Sequence, residues 1–125
     1  MKIIIDTHVF LWAVYEPEKL SHKMKQDLES LSNIIYVSSI TLVEIMIKSS
    51  IGKLNVEKNI NWVDVAERSG FEWLDFNKDD AMALNDMPLH HKDPFDRMLI
   101  AQAINNNFRV MSEDSKFYLY NCHLV

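Results

Sequence analysis

Short continuous runs of apolar, often β-branched residues alternate along the chain with longer segments in which apolar residues recur every three or four positions. Continuous apolar runs are typical of strands that are buried on both faces, as in parallel sheets, whereas the longer spacing is typical of helices that bury one face. The runs predict strands at residues 2–5, 34–37, 71–76 and 108–111, with a last short strand at 123–125.

The segments between the strands carry residues that start or end helices. Serines that suit N-caps precede two of these segments, and the two glycines of the chain follow two of them. Asp93 and Pro94 form the best-specified start, because proline lacks the amide hydrogen that the first helical residue would leave unpaired. The predicted helices comprise residues 8–14, 78–85 and 94–106, and residues 40–50, which are capped by Ser38 or Ser39 and ended by Gly52. Another helix is capped by Ser21 and carries Met24, Leu28 and Leu31 on one face. A further helix contains Trp62, Val65 and Ala66 and is ended by Gly70.

Strands that alternate with helices predict an α/β fold, in which a central parallel sheet of four or five strands lies between two layers of helices. The length of 125 residues and the apolar fraction of 48% suit one compact domain over the whole chain. In such folds ligands bind beyond the carboxyl ends of the strands. Acidic residues that follow a strand are therefore candidates for a functional site.

Four acidic residues occupy positions that suit such a site. Asp6 directly follows the first strand and Asp114 comes shortly after the strand at 108–111, so both are expected at the same edge of the sheet. Each could instead cap a helix, since aspartate between a strand and a helix commonly does so. Glu44 and Asp96 lie within helices, on faces that are otherwise apolar.

The two helical acids also have structural explanations. Glu44 in an apolar helix needs a positive partner, a proton or a metal ion, because an isolated buried carboxylate is costly. Lys48, one turn later, could pair with it if the helix is partly exposed. Asp96 could reach back to the N-cap Asp93, as in a capping box. Capping and a functional role can coexist at that position.

Four carboxylates that converge on one edge would repel one another unless divalent cations hold them. Ligand sets made of oxygen alone favour Mg²⁺, with Mn²⁺ able to substitute, over zinc. Phosphodiester hydrolysis by metal-activated water is the commonest chemistry for such a set. The four acids together therefore predict a metal-dependent enzyme that hydrolyses nucleic acid.

Charge and cysteine content change this picture little. The net charge of −5 argues mildly against nucleic-acid binding, which depends on lysine and arginine, but bound cations would reverse the local charge. Cys122 is the single cysteine, which excludes an internal disulfide and fits a reducing compartment. The sequence has neither a signal-peptide core nor an apolar run of membrane-spanning length, and we expect a cytoplasmic protein without membrane contact.

Four segments together resemble the PIN-domain family, and the resemblance covers nearly the whole chain. They are IIIDTHVFLW at residues 3–12, SSITLVE at 38–44, KDPFDRMLIAQA at 92–103 and MSED at 111–114. Within that family the chain is most similar to the VapC-type toxins of prokaryotic toxin–antitoxin pairs, which are small Mg²⁺-dependent endoribonucleases. The resemblance implies a three-layer α/β/α sandwich. The family's three core acids correspond to Asp6, Glu44 and Asp96, and its more variable fourth acid corresponds to Asp114.

The resemblance also implies supporting residues. Ser112 matches a serine or threonine that precedes the fourth acid and could hydrogen-bond a ligand or water. Thr7 and His8 recur in one subgroup, and His8 is expected to orient its neighbours rather than to act as a base. Asp93 belongs to the Asp-Pro-Phe-Asp-Arg segment of that subgroup and is expected to cap its helix rather than to bind metal. The basic residues near the acids that could steer RNA are Lys48, Lys53, Lys92 and Arg97.

Partners follow from the same resemblance. It implies RNA cleavage that leaves 5′-phosphate and 3′-hydroxyl ends, a homodimer, and inhibition by a cognate antitoxin protein that presents an arginine to the carboxylates.

Two other functions stay open on the residues alone. A haloacid-dehalogenase-like phosphatase would use Asp6 as nucleophile, but it needs a second aspartate where this chain has His8. A non-catalytic module would use the acids for a structural ion or a basic partner. The adjacent His90 and His91 are expected in a loop.

Overall fold

A computed structural model describes residues 1–57, 59–89, 92–114 and 117 and the backbone of 123–124. His90, His91, Cys122 and the predicted strand end at Val125 lie outside the described residues. The strands are β1 Lys2–Ile5, β2 Ile34–Ser38, β3 Glu72–Leu74, β4 Arg109–Met111 and β5 His123–Leu124. The helices are α1 Thr7–Tyr15, α2 His22–Glu29, α3 Ser39–Ser50, α4 Trp62–Arg68, α5 Lys78–Ala83 and α6 Pro94–Asn106. Short 3-10 turns at Pro17–Lys19 and Leu84–Asp86 follow α1 and α5.

The described strands form one parallel sheet in the order β3-β2-β1-β4-β5. β1 is central, and its Ile3 lies in register with Ile35 of β2 on one side and Arg109 of β4 on the other. All three isoleucines of β1 are completely buried, as a continuous apolar run predicts for a strand covered on both faces. The predicted α/β fold with a parallel sheet is confirmed.

Helices cover both faces of this sheet. Successive side chains of a strand point to opposite faces, so Ile3 and Ile5 pack in one apolar cluster with Phe10 of α1. Ile4 packs in a second cluster with Leu99 of α6. The two clusters, one on each side of the sheet, give the three layers of an α/β/α sandwich, as the family resemblance implied.

Several helix ends lie where the sequence predicts them. Ser21 and Ser38 each cap the following helix with a side-chain oxygen, and α6 begins after the cap Asp93 and extends to Asn106. The two glycines follow α3 and α4 with φ values of 76° and 83°, which residues with a Cβ rarely adopt. Among the described residues, no helix has the length and apolar character needed to cross a membrane.

The second helix is shorter than predicted. It ends at Glu29, so the expectation that Leu31 shares its apolar face is wrong, and Leu31 is fully exposed at 103%. The side-chain amide of Asn33 donates to the carbonyl of Asp27 at 3.0 Å and turns the chain towards β2. A local polar contact therefore ends the helix before the position that the apolar spacing predicts.

The strand predicted at 71–76 is also too long. Glu72–Leu74 pair with the last residues of β2, and the amide of Phe76 donates to the hydroxyl of Ser39 at 2.9 Å instead of joining the sheet. The helix predicted at 78–85 is α5 as far as Ala83 and a 3-10 turn beyond it. These differences shorten elements without changing their order.

A buried carboxylate fastens α5 to α6. Asp80 is completely buried and accepts hydrogen bonds from the amide of Asn77 at 3.0 Å and from the side-chain amides of Asn105 at 2.8 Å and Asn106 at 3.1 Å. The bond to Asn77 is half of a capping box that starts α5. Because α6 also carries Asp96 in its first turn, this polar contact helps to fix the helix that carries a candidate site residue.

We predict that Asp80→Asn lowers the free energy of unfolding by about 1–3 kcal/mol, because an amide nitrogen would face buried donors that need an acceptor. Asp79→Asn is the matched control, since Asp79 lies in the same first turn and is exposed, and it should be nearly neutral. Urea denaturation followed by circular dichroism measures both. Equal losses in the two variants would contradict a role for the buried network.

Candidate active site

The four predicted acids lie at the carboxyl edge of the sheet or on helices that pack beside it. Asp6 directly follows β1, and its amide donates to the carbonyl of Met111 at 3.1 Å, which brings the ends of β1 and β4 together. Glu44 lies in α3, which begins where β2 ends. Asp96 lies in the first turn of α6, and Asp114 comes shortly after β4. Asp6 and Glu44 are only 4% and 3% exposed, while Asp96 and Asp114 are half-buried.

Ser112 connects two of these acids. Its side chain hydrogen-bonds the carboxylate of Asp6, and its hydroxyl oxygen accepts from the amide of Asp114 at 2.9 Å. Asp6 also caps α1, accepting from the amide of Val9 at 2.8 Å. The capping explanation of Asp6 is thus correct as geometry, and the role of Ser112 as a hydrogen-bond partner for a ligand or water stays a prediction.

The surroundings of Asp6 disfavour its ionised form. Burial raises the pKa of Asp6 above its ordinary value of 3.8, while hydrogen bonds from Ser112 and from the amide of Val9 lower it. The electrostatic influence of the neighbouring His8 lowers the pKa of Asp6 further, and that of Glu44 raises it. Burial outweighs the stabilising contacts, so Asp6 is a carboxylate that an additional positive charge would stabilise.

Glu44 points inward from α3 and is held by two elements. Its Oε1 accepts from the hydroxyl of Thr7 at 2.6 Å, and Thr7 is itself 3.1 Å from the hydroxyl of Thr41. Its Oε2 lies 2.5 Å from Nζ of Lys48, one turn later in the helix. The pairing with Lys48, one of the explanations that the sequence left open, is therefore present.

Lys48 extends the charged cluster towards α6. Burial alone would lower the pKa of Lys48, but its hydrogen bond to Glu44 and the negative charges of Glu44, Asp93 and Asp96 outweigh burial and raise that pKa. Its ammonium also lies 5.8 Å from the centre of the Phe95 ring. One lysine thus faces acids from two helices.

The first turn of α6 is organised by Asp93. Its Oδ1 accepts from the amides of Phe95 at 2.9 Å and Asp96 at 3.1 Å, which confirms it as the N-cap of α6. Arg97, which was proposed to steer RNA because it is close in sequence to the acids, donates from Nη1 to the carbonyl of Pro88 at 3.0 Å. Through this contact it fastens the preceding loop to α6.

These residues fit a hard divalent cation in their chemistry. The ligands offered are carboxylate oxygens, two of them on buried side chains, and burial has made Asp6 a poorly stabilised anion. In the described part of the chain, no three Asp, Glu, His or Cys side chains lie close enough together to hold one ion as they stand. A metal ion held by three of the described side chains would therefore require them to move closer together.

Sequence reasoning did not single out Thr41. It is completely buried and contacts the hydroxyl of Thr7, which in turn holds Glu44. Its position three residues before Glu44 places both on one face of α3, and that spacing is the signal that could have identified it. Lys48 was proposed for steering RNA, whereas the structure pairs it with Glu44.

A cavity of about 440 Å³ lies along α1, beginning two residues after Asp6. Aromatic residues of α1 form one wall, and the segment between α3 and α4 forms the other. Its lining residues are His8, Leu11, Trp12, Tyr15, Glu16, Leu54, Asn55, Val56 and Glu57. The cavity is therefore mainly apolar and aromatic, with carboxylates at its rim.

We predict that Asp6→Asn stabilises the metal-free protein at pH 7. A raised pKa means that the protonated, neutral form of Asp6 contributes stability that is fully present below pH 3.8 and is lost as pH rises through the folded-state pKa. Asparagine is neutral at every pH and caps as well as aspartate, so its advantage should vanish below about pH 4. Thermal unfolding across this pH range measures the effect.

Asp75→Asn is the control for this prediction, because Asp75 also directly follows a strand but is exposed. It should show no comparable gain in stability at pH 7. A destabilised Asp6→Asn protein at pH 7 would mean that the charge of Asp6 is already compensated in the metal-free protein.

Comparisons with known proteins bear on the family. Among solved structures, VapBC2 from Rickettsia felis bound to promoter DNA matches with a TM-score of 0.76 and 18% identity, over 100% of this chain and 98% of that one. DNA-bound VapBC from Salmonella typhimurium matches at 0.71 and 20%, over 100% and 97%. FitAcB from Neisseria gonorrhoeae matches at 0.63 and 18%, over 98% and 95%. At these identities the likeness shows the fold.

Sequence comparison is more specific about ancestry. No curated protein matches the chain significantly. Residues 3–121 do match the PIN domain family, which is nearly the whole chain and includes all four acids. The chain belongs to the PIN domain family.

Proposed function

We propose that this PIN domain is a metal-dependent endoribonuclease and the toxin of a type II toxin–antitoxin pair. The observation that carries the proposal is the pair of buried carboxylates, Asp6 and Glu44, at the carboxyl edge of the sheet, with Asp96 in the first turn of α6 and Asp114 shortly after β4. A nuclease of this kind acts on RNA in the cytoplasm.

Mg²⁺, or Mn²⁺ in its place, suits this site because every candidate ligand is an oxygen. Asp6, Glu44, Asp96 and Asp114 would hold it. When bound, the cation would activate water and neutralise the charge that develops on the phosphoryl oxygens. Water would attack the phosphorus in line with the 3′-oxygen, so that the P–O3′ bond breaks and the 3′-oxygen takes up a proton, which leaves 5′-phosphate and 3′-hydroxyl ends. No side chain needs to form a covalent bond with the substrate.

The neighbouring residues position these carboxylates. The amide of Val9 and the side chain of Ser112 fix the carboxylate of Asp6, and the hydroxyl of Thr7 fixes one oxygen of Glu44. Ser112 also ties the backbone at Asp114 to Asp6. Hydrogen bonds of this kind hold ligands in the orientation that a metal needs. Thr7 and Ser112 therefore support the site without contacting the reacting atoms.

The cavity along α1 supports unpaired RNA as the substrate. His8, Trp12 and Tyr15 line it and lie at helical spacing, so they follow one side of α1 away from Asp6. Unstacked bases bind to proteins by stacking on aromatic rings. Glu16 and Glu57 also line the cavity and would repel backbone phosphates, which favours entry of a base rather than of the sugar-phosphate chain.

Protein partners belong to the same proposal. The similar structures are of VapBC and FitAcB assemblies, two of them described as bound to DNA, and an antitoxin arginine would suit the acids at the sheet edge. An exposed apolar stripe on the outer side of α3 suits a second copy of the chain. Its residues are Val43, Met46, Ile47 and Ile51.

We expect the purified protein to cleave single-stranded RNA with Mg²⁺ or Mn²⁺ and not in EDTA. Asp6→Asn, Glu44→Gln and Asp96→Asn should each lower the cleavage rate at least about a hundredfold, because each removes a ligand charge. Denaturing gels of a labelled oligoribonucleotide measure the rate and the chemistry of the product ends.

The matched control for these variants is at the end of β4. Asp114→Asn should also slow cleavage, whereas Glu113→Gln changes an exposed neighbour and should not. Undiminished cleavage in EDTA would rule out the metal mechanism. RNA or antitoxin binding with no metal-dependent hydrolysis would indicate a non-catalytic binding module instead.

We expect a homodimer that depends on the α3 stripe. Ile47→Glu places a charge in its centre and should raise the dimer dissociation constant about tenfold or more. Met82→Glu is the control, since Met82 is exposed on α5, away from the stripe. Size-exclusion chromatography with light scattering measures both. A wild-type monomer at high concentration would contradict the dimer. The antitoxin is tested separately by co-expression, and failure to recover a small partner protein would count against it.

A further inference from the structure

The ion pair between Lys48 and Glu44 differs from an ordinary surface pair. Nζ of Lys48 lies 2.5 Å from Oε2 of Glu44, whose side chain is 4% exposed, while the side chain of Lys48 is 30% exposed. Lys23 and Asp27 have the same spacing in α2, but they are 3.1 Å apart and 71% and 19% exposed. The described residues therefore offer a buried pair and a more exposed pair of lysine and acid at the same spacing along a helix.

Glu44 needs this pair in the absence of metal. Its other oxygen receives a neutral hydrogen bond from Thr7, which does not offset the loss of hydration that an ionised carboxylate suffers on burial. Removing the partner of a buried ion is strongly destabilising, because an uncompensated charge is left behind. Lys48 thus supplies to Glu44 the positive charge that a metal ion would otherwise supply.

A divalent cation and the Lys48 ammonium cannot both be close to Glu44 without repelling each other. The Lys48 side chain can move away from Glu44 towards Asp93, which is not a proposed metal ligand and lies within electrostatic reach, and towards the Phe95 ring, whose centre is 5.8 Å from the ammonium. Its side chain is also long and partly exposed, so it can move without disturbing the apolar clusters on either side of the sheet.

We propose that Lys48 is a built-in counter-ion of the metal site: it neutralises Glu44 in the metal-free protein and must leave Glu44 when a divalent cation binds. The inference rests on the proposed metal site and adds a competitor to it. Lys48 then keeps the metal-free domain folded and at the same time weakens its affinity for metal. It acts through Glu44 and is a positioning residue.

Lys48→Met tests this, because methionine keeps most of the length of the unbranched side chain and removes its charge. The melting temperature in EDTA should fall, since Glu44 loses its counter-ion. The dissociation constant for Mn²⁺, measured by calorimetric titration and by the rise of melting temperature with Mn²⁺, should fall about tenfold or more. Lys48→Arg keeps the charge and should bind Mn²⁺ nearly as the wild type does.

Lys23→Met is the matched control and should alter neither quantity appreciably, because its pair is exposed. If Mn²⁺ binds wild type and Lys48→Met with the same dissociation constant, the counter-ion role is overturned while the metal site stands. If Mn²⁺ neither binds to nor stabilises the wild type, the proposed metal-dependent function itself fails.

A second measurement covers the case in which Lys48→Met does not fold. Mg²⁺ titration of the ¹⁵N-labelled wild type should shift the side-chain nitrogen resonance of Lys48, because its partner changes, and should leave that of Lys23 in place. A Lys48 resonance that is unchanged at Mg²⁺ saturation would overturn the inference without any variant.

Discussion

The burial of two carboxylates at the end of an apolar sheet is the constraint on which the site depends. β1 is covered on both faces, and the chain leaves it directly into Asp6, which is only 4% exposed. Glu44 approaches from α3 and is buried as deeply. Water is excluded from both, so their charges must be met by donors or cations. The hydroxyls, the amides and the lysine that the described residues place around them meet that requirement.

Several residues of the candidate site also cap helices of the fold. Asp6 caps α1 while it serves as a candidate ligand, and Asp93 caps α6 next to Asp96. Ser112 ties the backbone at Asp114 to Asp6. Asp6 and Asp93 each cap a helix and also lie among the candidate site residues. For these residues, helix capping and a functional role are therefore not competing explanations. Placement at a helix start is what holds a carboxylate in a fixed orientation at the sheet edge.

The charges of the candidate site residues are balanced by their immediate neighbours and do not follow the net charge of −5 of the whole chain. Lys48 faces acids from two helices, while Arg97, another of the basic residues proposed near the site, donates to a loop carbonyl. A domain that is acidic overall can therefore still have a site whose net charge changes sign when a divalent cation replaces, or is added to, one lysine. In the proposed function, the aromatic cavity along α1, rather than a basic surface, would contact RNA bases.

The sequence by itself determined the α/β class, the order of the elements, most of the helix starts and the positions of the four acids, because hydrophobic period and capping chemistry act over a few neighbouring residues. It was wrong about the end of α2 and the length of β3, where the side chain of Asn33 and the hydroxyl of Ser39 redirect the chain through contacts that apolar spacing does not show. It left the partner of Glu44 open and missed Thr41. Only the tertiary structure decided these, because burial and partner choice depend on which elements pack together: Thr7 and Glu44 are 37 positions apart in the sequence and 2.6 Å apart in the fold.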